Sequence, residues 1–100
     1  MLTCETILSL LESNIEEISK YGAKKVGLFG SYAQNKQKEG SDIDILVEFH
    51  KGQKTFDNYM ELKFFLEDLF GQKVDLVIIE TIKPDLKPGI MGSVIYAKGA

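Results

Sequence analysis

Ser41-Asp42-Ile43-Asp44-Ile45-Leu46-Val47 decides how this chain is read. Two acidic residues, one residue apart, stand at the front of an apolar run. Side chains alternate across a strand, so Asp42 and Asp44 project from the same face. Carboxylates held side by side repel each other and lose solvation, and the pair therefore predicts a cation between them. No Cys or His stands with them, so the donors are hard oxygens. Such a set suits Mg²⁺, which binds through one or two carboxylates plus substrate phosphates.

Upstream, an apolar stretch ends in Gly30-Ser31 and runs into a predicted helical turn from Tyr32 to Lys36. Free N–H groups at a helix start favour an anion. Gly30 lets a phosphate approach the backbone with no Cβ in the way, and the Ser31 hydroxyl adds a donor. The turn is no Walker A loop, because no Gly-Lys-Ser/Thr follows. Downstream, Asp75 interrupts the apolar run Val74 to Ile79, where an acidic residue needs a partner. If the two runs are neighbouring strands, Asp75 completes a three-carboxylate cluster with Asp42 and Asp44. Such a cluster can hold two divalent ions, with Asp75 the best candidate for the deprotonating base. The plainer alternative has Asp42 capping a turn and Asp75 at a solvated sheet edge.

Outward from these motifs, helix and strand alternate. Ile7, Leu8, Leu11, Ile15 and Ile18 recur at helical spacing, with Thr3 as N-cap and Tyr21-Gly22 as the stop. Strands are expected over residues 25–29, 43–49 and 74–79. A second long helix, capped by Thr55 and stopped by Gly71, carries Tyr59, Leu62, Leu66 and Leu69 on one stripe. A short helix over residues 90–95 and an extended piece over residues 95–97 close the pattern. The expected fold is α/β, a small mixed sheet covered by helices. Phe64-Phe65 widens the apolar stripe of the second helix, with core packing as the default reading and a partner-binding face as the alternative.

The chain has 100 residues, which predicts one domain over residues 1–100 with one modest core. Its net charge of −3 gives no basic footprint for duplex nucleic acid. The single cysteine, Cys4, forms no internal disulfide and fits a reducing compartment. No secretory signal opens the chain, and no apolar run is long enough for a bilayer, so the expectation is a cytoplasmic protein with no membrane association. His50, the one histidine, stands before a polar loop and reads as a surface residue. No Ser/Cys–His set for nucleophilic catalysis is visible.

Gly30-Ser31-Tyr32-Ala33, then Ser41 to Val47, then Val74-Asp75-Leu76-Val77 resembles the minimal nucleotidyltransferases of the polymerase-β-like superfamily. The resemblance covers most of the chain. It implies the polymerase-β-like fold, a nucleoside triphosphate substrate such as ATP, Mg²⁺ as two ions, and transfer of a nucleoside monophosphate with release of pyrophosphate. It implies phosphate binding by Gly30 and Ser31, and metal binding by Asp42 and Asp44 with Asp75 completing the triad. Members typically stand beside a HEPN-domain toxin as its antitoxin, and some attach AMP to a tyrosine of that partner. Whether the state is a homo- or hetero-oligomer is left open. The chain departs from the pattern at Gln34-Asn35, where the family usually carries Arg-Gly. Arg offers a fixed, always-charged fork, whereas Gln offers a neutral amide, and Lys36 and Lys38 are only flexible point charges nearby.

Two functions of different class follow. One is a nucleotidyltransferase whose acceptor belongs to another molecule, because a chain of this size has no room for a lobe that presents one. The other is a catalytically weak nucleotide-binding module that neutralises its partner by stoichiometric contact. Asp42, Asp44 and Asp75 favour the first, and Gln34 favours the second.

Overall fold

Asn14 divides the N-terminal helical pattern in two. A computed structural model describes residues 2–99 and places α1 at Cys4–Ser13 and α2 at Ile15–Ser19. Thr3 caps α1, its hydroxyl accepting from the Thr6 N–H at 3.2 Å. The expected single helix to Tyr21 breaks because the Asn14 side chain donates back to the Leu10 carbonyl at 2.9 Å, the local bonding that makes Asn a poor helix-interior residue. The stripe survives the break: Ile7, Leu11 and Ile18 are all buried.

β1 spans Ala23–Phe29 and begins two residues earlier than the sequence suggests, with a pairing irregularity between Ala23 and Lys25. α3 follows at once as Gly30–Ala33. β2 spans Ile43–Phe49, as expected. α4 spans Phe56–Phe70, with Thr55 accepting from the Asn58 N–H and Gly71 ending it at φ 68°. That left-handed stop costs Gly little. β3 is Val74–Ile78, α5 is Lys87–Ser93 and β4 is Ile95–Tyr96. α5 lies three residues upstream of its expected start, because Pro88 is pre-set for a first helical turn and the β-branched Val94-Ile95 leaves for the sheet.

The sheet order is β3-β2-β1-β4. β1 pairs antiparallel with β2 and β4, while β2 and β3 run parallel, joined by α4. This is the mixed, helix-covered sheet the sequence predicts. Ile43, Ile45 and Val47 of β2 face one core with Ile7, Leu11 and Ile18 of the first helices and Leu62, Leu66 and Phe70 of α4. Tyr59 ties α4 to β3, its hydroxyl donating to the Leu76 carbonyl at 2.6 Å. Phe64 stands outside that core at 56% exposure, while Phe65 is half-buried against Tyr21, ring centroids 5.7 Å apart. The wide apolar stretch is therefore not all core. α5 lies against α3 and β1. Among the described residues no helix is long and apolar enough to cross a membrane.

Candidate active site

One residue along β2 from the buried isoleucines, the chain turns a carboxylate to the other side of the sheet. Asp44 lies directly opposite Phe29 of β1 and in register beside Asp75 of the parallel β3. Neighbouring strands are about 4.8 Å apart, so the two aspartates are adjacent on one face. Asp42 stands just before β2, exposed, and Asp75 is exposed on the edge strand. Asp44 is half-buried.

Phe29 is extended and ends β1, and Gly30 then turns at φ 73° into α3. A Cβ built on Gly30 would overlap the Asp44 carboxylate. Glycine is needed here twice over, for its left-handed backbone and for the close approach of the turn to the acid. Ser31, next along, is half-buried at the start of the short helix.

The electrostatics follow from this packing. Burial, then the Asp75 carboxylate, then the Asp42 carboxylate push the Asp44 carboxyl up to about 6, while the Ser31 backbone N–H favours its charged form. The fold thus brings all five anticipated residues, Gly30, Ser31, Asp42, Asp44 and Asp75, to one corner of the sheet.

Residues 8–97 match the nucleotidyltransferase domain family. The chain belongs to that family. Protein adenylyltransferase MntA of Thermococcus cleftensis is 37% identical to it over 97 residues, 96% of this chain and 97% of that one. A solved minimal nucleotidyltransferase is 33% identical, with a TM-score of 0.81 over 94% of this chain and 95% of its own. A solved toxin–antitoxin with AMP-PNP is 26% identical, with a TM-score of 0.69, and the match covers 89% of this chain and 73% of that one.

Among the described residues of this nucleotidyltransferase, no three His, Cys, Asp or Glu side chains are placed to enclose a metal ion. That is compatible with Mg²⁺, which keeps waters and takes substrate phosphates instead of an all-protein cage. The donors are carboxylates only, and Asp44 carries the repulsion that a cation would relieve. These residues fit the ion.

Two residues at the site escaped the sequence reading. Phe29 pairs directly with Asp44 across β1 and β2, and no local pattern showed that it would stand opposite an acid. Gln72, between the stop of α4 and the start of β3, donates to the Tyr32 hydroxyl at 3.0 Å and to the Ser41 carbonyl at 3.4 Å. A polar residue after a helix-stopping glycine looks like any loop residue. Lys36 and Lys38 are exposed in the loop between α3 and β2, as is Gln34 at the end of α3. A cavity of about 210 Å³ lies elsewhere, lined by Ile15, Ile18, Lys25, Val26 and His50 among others, and contains none of the site carboxylates.

Proposed function

We propose that this nucleotidyltransferase moves AMP from ATP onto a hydroxyl of another protein, a tyrosine of a HEPN-domain toxin, and in this way acts as the toxin's antitoxin. The observation that carries the reading is the in-register pair Asp44 and Asp75 beside the Gly30-Ser31 turn. The adenylyltransferase name of the Thermococcus relative and the AMP-PNP of the toxin–antitoxin structure support the nucleotide and the type of partner. The half-buried free Cys4 suits a reducing, cytoplasmic setting.

In this reading Asp42 and Asp44 hold Mg²⁺, with Asp75 completing the set for two ions. A metal held there would neutralise phosphate charge and lower the pKa of the attacking hydroxyl. The Ser31 hydroxyl donates to the triphosphate, and Gly30 keeps the turn clear for it. Asp75, open to solvent, takes the proton of the acceptor hydroxyl. The acceptor oxygen then bonds to the α-phosphorus, the bond from that phosphorus to the bridging oxygen breaks, and pyrophosphate leaves. Incubation with labelled ATP, Mg²⁺ and the protein encoded next to it, with mass analysis of both chains, tests the reading. The expected result is one or more added AMP groups on a partner tyrosine, absent with chelator.

The second reading, neutralisation by stoichiometric contact, draws on exposed, uncharged Gln34 at the end of α3. It predicts that an Asp44→Asn protein still silences the toxin. The enzyme reading predicts that it does not.

A further inference from the structure

We infer that Gln72 is a positioning residue for the metal-binding end of this site, an inference that rests on the nucleotidyltransferase reading above. Asp42 lies outside β2 and would be free to swing with the loop that precedes it. Its backbone is held on both sides from one place. On one side the Ile43 N–H donates to the Lys73 carbonyl at 3.1 Å, the first step of the β2–β3 ladder. On the other the Ser41 carbonyl accepts from the Gln72 side-chain amide at 3.4 Å. The side chain thus continues the ladder one step beyond the backbone pairs.

The same Nε2 donates to the Tyr32 hydroxyl at 3.0 Å. Tyr32 is 1% exposed, so an unpaired hydroxyl there would carry a full desolvation cost. The amide has two N–H donors, and both are used. Its orientation is fixed by chemistry, because the Ser41 carbonyl can only accept. Tyr32 follows Ser31, Ser41 precedes Asp42, and Asp75 stands three residues after Gln72. One half-buried amide therefore sets the spacing between the Gly30-Ser31 turn and the acidic pair. Lys38 and Ser41 brace the same loop, each backbone N–H bonding the other residue at 2.9 Å, to the Ser41 hydroxyl and the Lys38 carbonyl respectively.

The test compares Gln72→Met, which keeps the length and removes both donors, with Ile18→Val, which trims the buried core under α2 away from the site. Both should lower the melting temperature by similar amounts. Only Gln72→Met should reduce kcat, by roughly ten- to a hundred-fold as expected for a displaced reacting group, with little change in KM for ATP. It should also speed hydrogen exchange at the Ile43 amide in nucleotide-free protein, whatever the activity. Gln72→Glu, which cannot donate to the Ser41 carbonyl, should repeat the kcat loss and serves if the Met variant does not fold. Equal kcat in the Gln72 and Ile18 variants, with unchanged exchange at Ile43, would overturn the assignment. An inactive wild type, with faster Ile43 exchange in Gln72→Met than in that wild type, would instead refute the enzyme reading and leave the positioning intact.

Discussion

Ile43 and Ile45 leave β2 on the side covered by α1, α2 and α4, whereas Asp44, between them, leaves it beside Asp75. Both isoleucines are fully buried and belong to the hydrophobic core. Asp44 is half-buried among like charges and is held back from its charged form. One strand thus stabilises the fold on one face and stores repulsion on the other. The difference teaches that the pleat lets a strong core hold a strained site rigidly, one residue away, without the two sharing side-chain contacts.

The largest effects should separate the faces. Asp44→Asn should lower transfer by roughly two or more orders of magnitude, as loss of a group that stabilises developing charge does. In chelator near neutral pH it should melt higher than wild type, because one repelling charge is gone. Ile45→Ala should do the opposite, losing about 2–5 kcal/mol of stability while the fraction that stays folded keeps its activity. Denaturant titration and the labelled-ATP assay, run on both proteins, check this. An Asp44→Asn protein that melts lower than wild type in chelator would mean that the carboxylate is held by favourable bonds, and the contrast between the faces would fail.

Gly30→Ala tests the boundary between the two regions. Its left-handed φ costs an alanine about 1–2 kcal/mol, and the new Cβ would meet the Asp44 carboxylate. Stability should fall by at least that amount and transfer should fall with it. An alanine variant with wild-type nucleotide affinity would show that the turn does not need to approach Asp44 so closely.

A smaller effect should appear on titration. A free aspartate ionises near pH ~3.9, and Asp44 in the folded chain is pushed up to about 6. A raised folded pKa means that the group favours the folded state fully below the unfolded value and loses that contribution as pH rises through about 6. Metal-free wild type should therefore lose melting temperature relative to Asp44→Asn between these two pH values. Mg²⁺ should restore it in wild type by binding the folded state, and do little for the variant. Protons and Mg²⁺ then compete at Asp44, so Mg²⁺ affinity should weaken below about pH 6. Parallel melting curves of the two proteins would remove this account.

Much of this arrangement was legible in local sequence. The caps Thr3 and Thr55, the stop at Gly71 and the strand from Ile43 to Phe49 depend on nearest neighbours, and so they could be read. The pairing of Asp44 with Asp75 spans a helix, and sequence offered it only as a condition on two strands being neighbours. The break at Asn14 and the early start of α5 were missed because a side-chain bond and a proline at a helix start outweighed hydrophobic period. Phe29 and Gln72 were missed because each acts through a partner far off in the chain: Asp44 for one, Tyr32 and Ser41 for the other.

The smallest expected effect lies at the rim, where sequence departs from the usual family pattern. Gln34 is exposed at the end of α3, and its backbone N–H donates to the Gly30 and Ser31 carbonyls, so its side chain extends from the Gly30-Ser31 turn itself. An arginine there would add a charge that reaches a triphosphate or an acidic partner. In exposed surroundings such a pair contributes only about 0.2–1 kcal/mol. Gln34→Arg should therefore raise nucleotide affinity a few-fold at low salt and lose the gain as salt rises. Calorimetric titration with ATP and Mg²⁺ at two ionic strengths measures it. A gain that persists at high salt would mean a desolvated, bidentate contact, and the rim would then belong with the site and not with the surface. No gain at either salt would mean that the turn has been rebuilt around another cation, with Lys36 or Lys38 the first residues to replace.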